Sequence, residues 1–118
     1  MIVTLVPDGP VPPFEQLRAQ ILDQVRTGTL PVGTRLPTVR ALAEELGIAP
    51  NTVARAYREL EHDGVLETRG RNGTFVTAFG DAAQRRVQEA AAEYAATVRR
   101  LGVDPDEALR LAASALRG

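Results

Sequence analysis

The chain has 118 residues, 44% apolar and 25% charged, with a formal net charge of −1. That suits one domain of ordinary size with a small appendage and excludes a disordered chain. With no cysteine there is neither a disulfide framework nor a thiolate metal site, and the near-neutral balance gives no overall support to a nucleic-acid partner.

Residues 1–11 open with a β-prone run that Pro7-Asp8-Gly9-Pro10 terminates. It would either add an edge strand or lie across the domain. Pro12 and Pro13 lead into a first helix over about 14–27, with Phe14, Leu17, Ile21 and Val25 as its core stripe and Gly28 at its end. GTLPVGTRLP then reads as a structured loop anchored by Leu30 and Leu36. Thr38 is a candidate N-cap for a second helix whose buried stripe is Val39, Leu42, Ala43 and Leu46, closed by Gly47. Arg35 and Arg40 bracket its start. Pro50 suits the first position of a third helix, which buries Val53, Ala56, Tyr57 and Leu60 and turns Asn51, Arg55 and Arg58 the other way. Two helices joined by so short a turn form a helix-turn-helix, whose second helix enters the major groove of DNA.

VLET and TFVTA follow as short strands, bridged by Arg69-Gly70-Arg71-Asn72-Gly73, with Asn-Gly as the turn signal. Arginines on a glycine-rich tip suit a narrow minor groove, although such a tip also serves as a plain solvated turn. Between 35 and 71 six arginines face six acids (Glu44, Glu45, Glu59, Glu61, Asp63, Glu67), so any basic surface comes from face separation alone. The pattern changes near Gly80. DAAQRRVQEAAAEYAATVRRL is strongly helix-prone, and Val87, Ala91, Tyr94, Val98 and Leu101 space out a coiled-coil-like seam. Asp104-Pro105-Asp106-Glu107 offers a capping box for a last helix with Leu109, Ala112 and Leu116 along one line and Leu111 and Ala115 along another. Two short helices with such wide apolar faces are expected to pair as a hairpin and pack against a second subunit. Folding back onto the domain within one chain is the alternative.

LPTVRALAEELG, NTVARAYRELE and RNGTFV together resemble the DNA-binding domain of GntR-type bacterial transcription regulators, and the likeness begins at PPFEQLRAQILDQV. The APNTVARAYRELE variant with a short helical tail is similar to the YtrA subfamily. The resemblance implies a mainly α fold: a winged helix-turn-helix of three helices and a two-stranded wing over residues 1–79, then a two-helix dimerisation hairpin over 80–118. It also implies a homodimeric repressor at an inverted-repeat operator in double-stranded DNA, often near transporter genes. The expected DNA-binding residues are Arg35, Arg40, Asn51, Thr52, Arg55, Arg58, Arg69, Arg71 and Gly73. Asn51, Thr52 and Arg55 would read bases, Arg40, Arg58 and Arg69 would grip phosphate, and Arg71 would enter or straddle the minor groove. Ala49 and Pro50 stand where related regulators often carry polar or basic side chains, which shifts weight onto Asn51 and Arg55. Val87, Ala91, Tyr94, Val98, Leu101, Leu109 and Leu116 are the expected dimer contacts.

Catalytic chemistry finds no footing. His62 is the single histidine, and Gly70-Arg71-Asn72-Gly73 lacks the Lys-Ser/Thr of a phosphate-binding loop. No cofactor or metal is expected. A winged-helix module for protein docking is the competing function, but its exposed helix face would be apolar or acidic, unlike Asn51, Arg55 and Arg58. With no apolar run of membrane-spanning length and no basic signal-peptide start, a cytoplasmic protein without a membrane partner is expected. Whether a small-molecule effector exists stays open at this point. A 38-residue tail is too short to enclose a pocket alone, and a site shared across a dimer would draw on Tyr94, Arg99 and Arg100.

Overall fold

In the computed structural model, which describes residues 1–118, three helices and a two-stranded hairpin share one core. The elements are α1 (Pro13–Arg26), α2 (Val39–Leu46), α3 (Pro50–His62), β1 (Leu66–Thr68), β2 (Thr74–Val76), α4 (Ala82–Leu101) and α5 (Pro105–Arg117). Prolines start α1, α3 and α5, where the missing N–H has no helical partner to lose. Thr38 caps α2 by accepting from the Ala41 N–H at 3.1 Å, and Gly47 ends it in the left-handed region at φ 67°.

Leu17 and Ile21 from α1, Leu42 from α2, Val53 and Leu60 from α3, and Val76 from β2 are all but fully buried, so one core joins the three helices to the hairpin. Each such side chain contributes about 1.5–3 kcal/mol by leaving water. Phe14, expected in this core, is only half-buried. The first turn of α1 overhangs α3, and the ring becomes a surface platform.

The Tyr57 hydroxyl donates to the Pro37 carbonyl at 2.7 Å, tying α3 to the entry of α2. Burial pushes the Tyr57 phenol well above its ordinary pKa.

The hairpin pairs Leu66 with Val76, Glu67 with Phe75 and Thr68 with Thr74, antiparallel. Its tip differs from the expected Asn-Gly turn. A single 3₁₀ turn spans Gly70–Asn72, and the positive φ angles fall on Gly70 and Gly73 while Asn72 stays right-handed. The loop before α2 forms a third rung: Arg35 bridges Phe75, the Leu36 N–H donates to the Thr74 carbonyl, and the Val76 N–H donates to the Thr34 carbonyl.

The N-terminal run is not a strand of the sheet. It lies extended along α1, where Gln16, Gln20 and Gln24 stand one turn apart and mimic a neighbouring strand. Gln20 both donates to and accepts from the Thr4 backbone, and Gln16 does the same for Val6. Gln24 donates to the Ile2 carbonyl, while its own side-chain oxygen is buried without a partner.

In the tail the expected capping box is displaced. Asp104 makes no side-chain cap to α5. Asp81 and Gln84 form the reciprocal box instead, at the start of α4. Proline at the first position already fixes the entry to α5, and the Asp104 carbonyl accepts the first helical bond from Ala108. The Tyr94 hydroxyl donates to the Ala108 carbonyl at 2.6 Å, linking α4 to α5. No helix is long and apolar enough to cross a membrane.

Candidate nucleic-acid interface

Asn51, Arg55 and Arg58 project from the face of α3 opposite Val53, Ala56, Tyr57 and Leu60, and all three are exposed. Thr52, one position round, is half-buried. The helix period therefore places these polar groups as the sequence implies. Their surroundings sort them further.

Arg55 is not free. Its guanidinium lies 3.6 Å from the centroid of the Phe14 ring, and its Nε sits 3.8 Å from Glu59. Arg18 from α1 joins the same cluster, paired with Glu15 and 3.9 Å from Glu59. The hydrogen bond from Arg18 holds the Glu15 carboxyl below its ordinary range. Arg18, Arg55, Arg58, Glu59, His62 and Asp63 thus line one polar groove between α1 and α3. Phe14 and Arg18 were missed as site residues, because Phe14 shares the spacing of the core stripe and Arg18 has no motif of its own.

Arg69 is held similarly. It lies over the Phe75 ring at 4.4 Å from the centroid and pairs with Glu67. Arg35, Arg40, Arg58 and Arg71 form no ion pair within the chain. Arg71 stands exposed at the tip of the wing. Arg35 passes over Gly73, where an added Cβ would lie 2.8 Å from the Arg35 Nε. Gly73 also has φ 112° and ψ −163°, a region open to glycine alone. These two expected residues are therefore in contact, which their separation in sequence conceals.

The expected seam lies mostly on open surface. No α4 residue is fully buried, and Val87, Tyr94, Leu101, Leu109, Leu111 and Leu116 are exposed, Leu116 at 88%. Val98 is half-buried, and Ala91 sits at the edge of a cleft on the side of α4 that faces the winged elements.

Comparison with known proteins agrees with this geometry. Residues 13–76 match the bacterial regulatory proteins of the gntR family. The chain is 56% identical over 99 residues to the HTH-type transcriptional regulator Rv1152 of Mycobacterium tuberculosis, spanning 84% of this chain and 81% of that one. It is 36% identical over 76 residues to the HTH-type transcriptional repressor YtrA of Bacillus subtilis, spanning 64% and 58% of the respective chains. Among solved structures, a transcriptional antiterminator from Listeria monocytogenes superposes with a TM-score of 0.66 at 29% identity, covering 97% of this chain and 89% of that one. A YtrA from Sulfolobus acidocaldarius shares the fold over 98% of this chain and 97% of its own, with a TM-score of 0.61 at 23% identity. The DNA-binding domain of AraR bound to its operator ORX1 shares it over 64% of this chain and 96% of its own, with a TM-score of 0.58 at 24% identity. These relatives are regulators, not enzymes. The chain belongs to the GntR family: it is a transcription regulator with a winged helix-turn-helix DNA-binding domain and a two-helix tail.

Proposed function

We propose that the chain is a homodimeric repressor that binds an inverted-repeat operator through residues 1–79 and dimerises through residues 80–118. The observation that carries this reading is the contrast between two surfaces. Arg35, Arg40, Arg58 and Arg71 leave unpaired positive charge on the loop before α2, on α2, α3 and the wing. The tail instead exposes six large apolar side chains, which a single copy leaves in water. A two-fold dimer covers the tails and presents two recognition helices to two half-sites. YtrA of Bacillus subtilis is a repressor, and the AraR domain occupies its operator on the same fold, which supports the assignment. On the YtrA likeness the controlled genes include a transporter's, and the protein acts in the cytoplasm. The protein-docking alternative gains nothing, because the exposed face of α3 is polar and basic.

Within the site, Asn51, Thr52 and Arg55 read base edges from the first turns of α3. Arg35, Arg40, Arg58 and Arg69 hold phosphates, and Arg71 meets the minor groove beside Gly73. Arg55→Ala then costs roughly 1–3 kcal/mol per half-site and relaxes preference at one or two positions. Arg58→Ala weakens every sequence about equally. Binding of both variants to operator and scrambled duplexes separates the roles. A uniform loss with Arg55→Ala, or a base-specific loss with Arg58→Ala, would show that α3 is rotated in its groove.

A further inference from the structure

A second concave site lies away from the arginines of the DNA-binding face. It is a half-open cleft of about 600 Å³ between the end of α1, the loop that follows it and α4. Such a volume suits a drug-sized ligand. The tail and the winged domain of one chain supply its two walls, whereas the sequence pointed only to a site shared across a dimer.

Its α4 wall is made of Ala91, Ala92, Ala95 and Ala96, and Leu30 and Val32 stand opposite. Alanines leave the space open, and at Gly33 the two walls close: an added Cβ there would lie 4.0 Å from the Ala92 Cβ. This face of α4 meets the apolar seam only at Ala91, which borders both. Positions 88, 92, 95 and 99 point about a third of the way round the helix from 87, 94, 98 and 101. A partner helix on the seam therefore meets the cleft only along its Ala91 edge.

The cleft is charged in one sense only. Arg26 and Arg99 line it, and no acidic residue does. Neither arginine forms an ion pair, and Arg26 is positioned by stacking 4.5 Å from the centroid of the Phe79 ring. Gln88 is already engaged with both the N–H and the carbonyl of Phe79. The last carbonyls of α1, which would repel an anion, are occupied: Asp23 accepts from Thr27, Gln24 from Leu30 and Val25 from Gly28. In a chain of net charge −1, two unpaired guanidiniums beside an apolar wall are a complementary surface for one kind of molecule.

We infer that this cleft binds a small amphipathic anion, with its apolar body against the alanines of α4 and its carboxylate or phosphate between Arg26 and Arg99. Such a ligand touches both the winged domain and the helix that carries the seam, so it fixes the angle between them. Its regulatory consequence rests on the dimeric regulator proposed above; the binding itself does not.

The test is an NMR titration of the isotope-labelled full chain without DNA, using octanoate, octyl phosphate and octylammonium as probes. One or both anions should shift amides of residues 25–34 and 91–99 saturably, the tighter one identifying the headgroup, and octylammonium should not. Arg99→Gln should weaken the anion by about tenfold or more, since a charge-assisted contact is lost. Ala95→Leu, which fills the cleft and keeps both charges, should abolish the shifts. Equal response to anion and cation, shifts confined to residues 104–117, or indifference to both substitutions would overturn the site. A failure here with operator binding intact leaves the regulator reading standing, and the reverse result leaves the cleft standing.

Discussion

Gly73→Ala probes the wing at the point where backbone and side-chain demands coincide. An L-residue at φ 112°, ψ −163° is strained by about 1–3 kcal/mol, whatever space surrounds it. The new Cβ would also fall 2.8 Å from the Arg35 Nε. That second contact is cheap to relieve, because the guanidinium ends a flexible exposed chain and can swing away. The strain has no such exit, since the Gly73 carbonyl accepts from the Arg69 N–H at 2.8 Å and closes the turn. The expected loss is therefore about 1–3 kcal/mol, or a fall in Tm of roughly 3–15 °C for a chain of this size.

Thermal and urea unfolding at fixed protein concentration measure it, and Arg35→Ala supplies the control. Alone, Arg35→Ala should change stability by less than about 0.5 kcal/mol, as an exposed substitution does. Combined with Gly73→Ala it should leave the strain almost intact. A coupling as large as the whole Gly73→Ala effect would assign the cost to the collision instead of the backbone. Should Gly73→Ala melt within about 1 °C of the parent, the strain argument itself is wrong.

If each subunit neutralises about four phosphates, the dimer's log–log salt slope for DNA is about −7, and salt-indifferent binding would point to a protein partner. Sedimentation at micromolar concentration should find a dimer that Leu101→Asp with Leu116→Asp converts to a monomer; an intact chain already monomeric there refutes the seam. Tyr57→Phe removes the bond to the Pro37 carbonyl and should cost about 1–2 kcal/mol. The folded chain also keeps the Tyr57 proton to a higher pH than the unfolded chain, whose phenol titrates near 10. Stability should thus fall as pH rises above about 10, and Tyr57→Phe should flatten that fall; an unchanged slope would refute the assignment.

What the sequence made legible were features governed by local rules. Thr38, Gly47 and Pro50 act through their own backbone positions, and each appears where capping chemistry puts it. The stripes Leu17/Ile21/Val25 and Val53/Ala56/Tyr57/Leu60 follow from the helical period alone. Misreadings arose where a residue satisfies a local pattern but a distant element decides its role. Asp104 fits a capping box, yet Pro105 and the Ala108 bond leave its carboxylate unused. Gln16, Gln20 and Gln24 carry no helix signal beyond polarity, and their ladder exists only because an extended segment lies beside them. The cleft escaped notice for a related reason: its two walls are separated by some sixty residues of chain.

The same distinction bears on how the arginines work. Arg55 on Phe14 and Arg69 on Phe75 each combine an aromatic platform with an acidic partner, Glu59 and Glu67. Exposed pairs of this kind are worth about 0–1 kcal/mol and a surface cation–π contact about 0.5–1 kcal/mol. On the proposed reading, either arginine gives up that much before it can engage DNA, and recovers it only against a well-placed base or phosphate. Arg40, Arg58 and Arg71 give up no ion pair, and on the same reading they grip any duplex. On that reading the release cost is the same for any duplex, so parking Arg55 lowers operator affinity by that cost and non-specific affinity by no more than that. On the proposed reading Phe14→Leu, by loosening Arg55, should raise affinity for the operator by up to about 0.5–1 kcal/mol per half-site and for scrambled DNA by no more than that, and a gain confined to scrambled DNA would refute the base-reading role of Arg55.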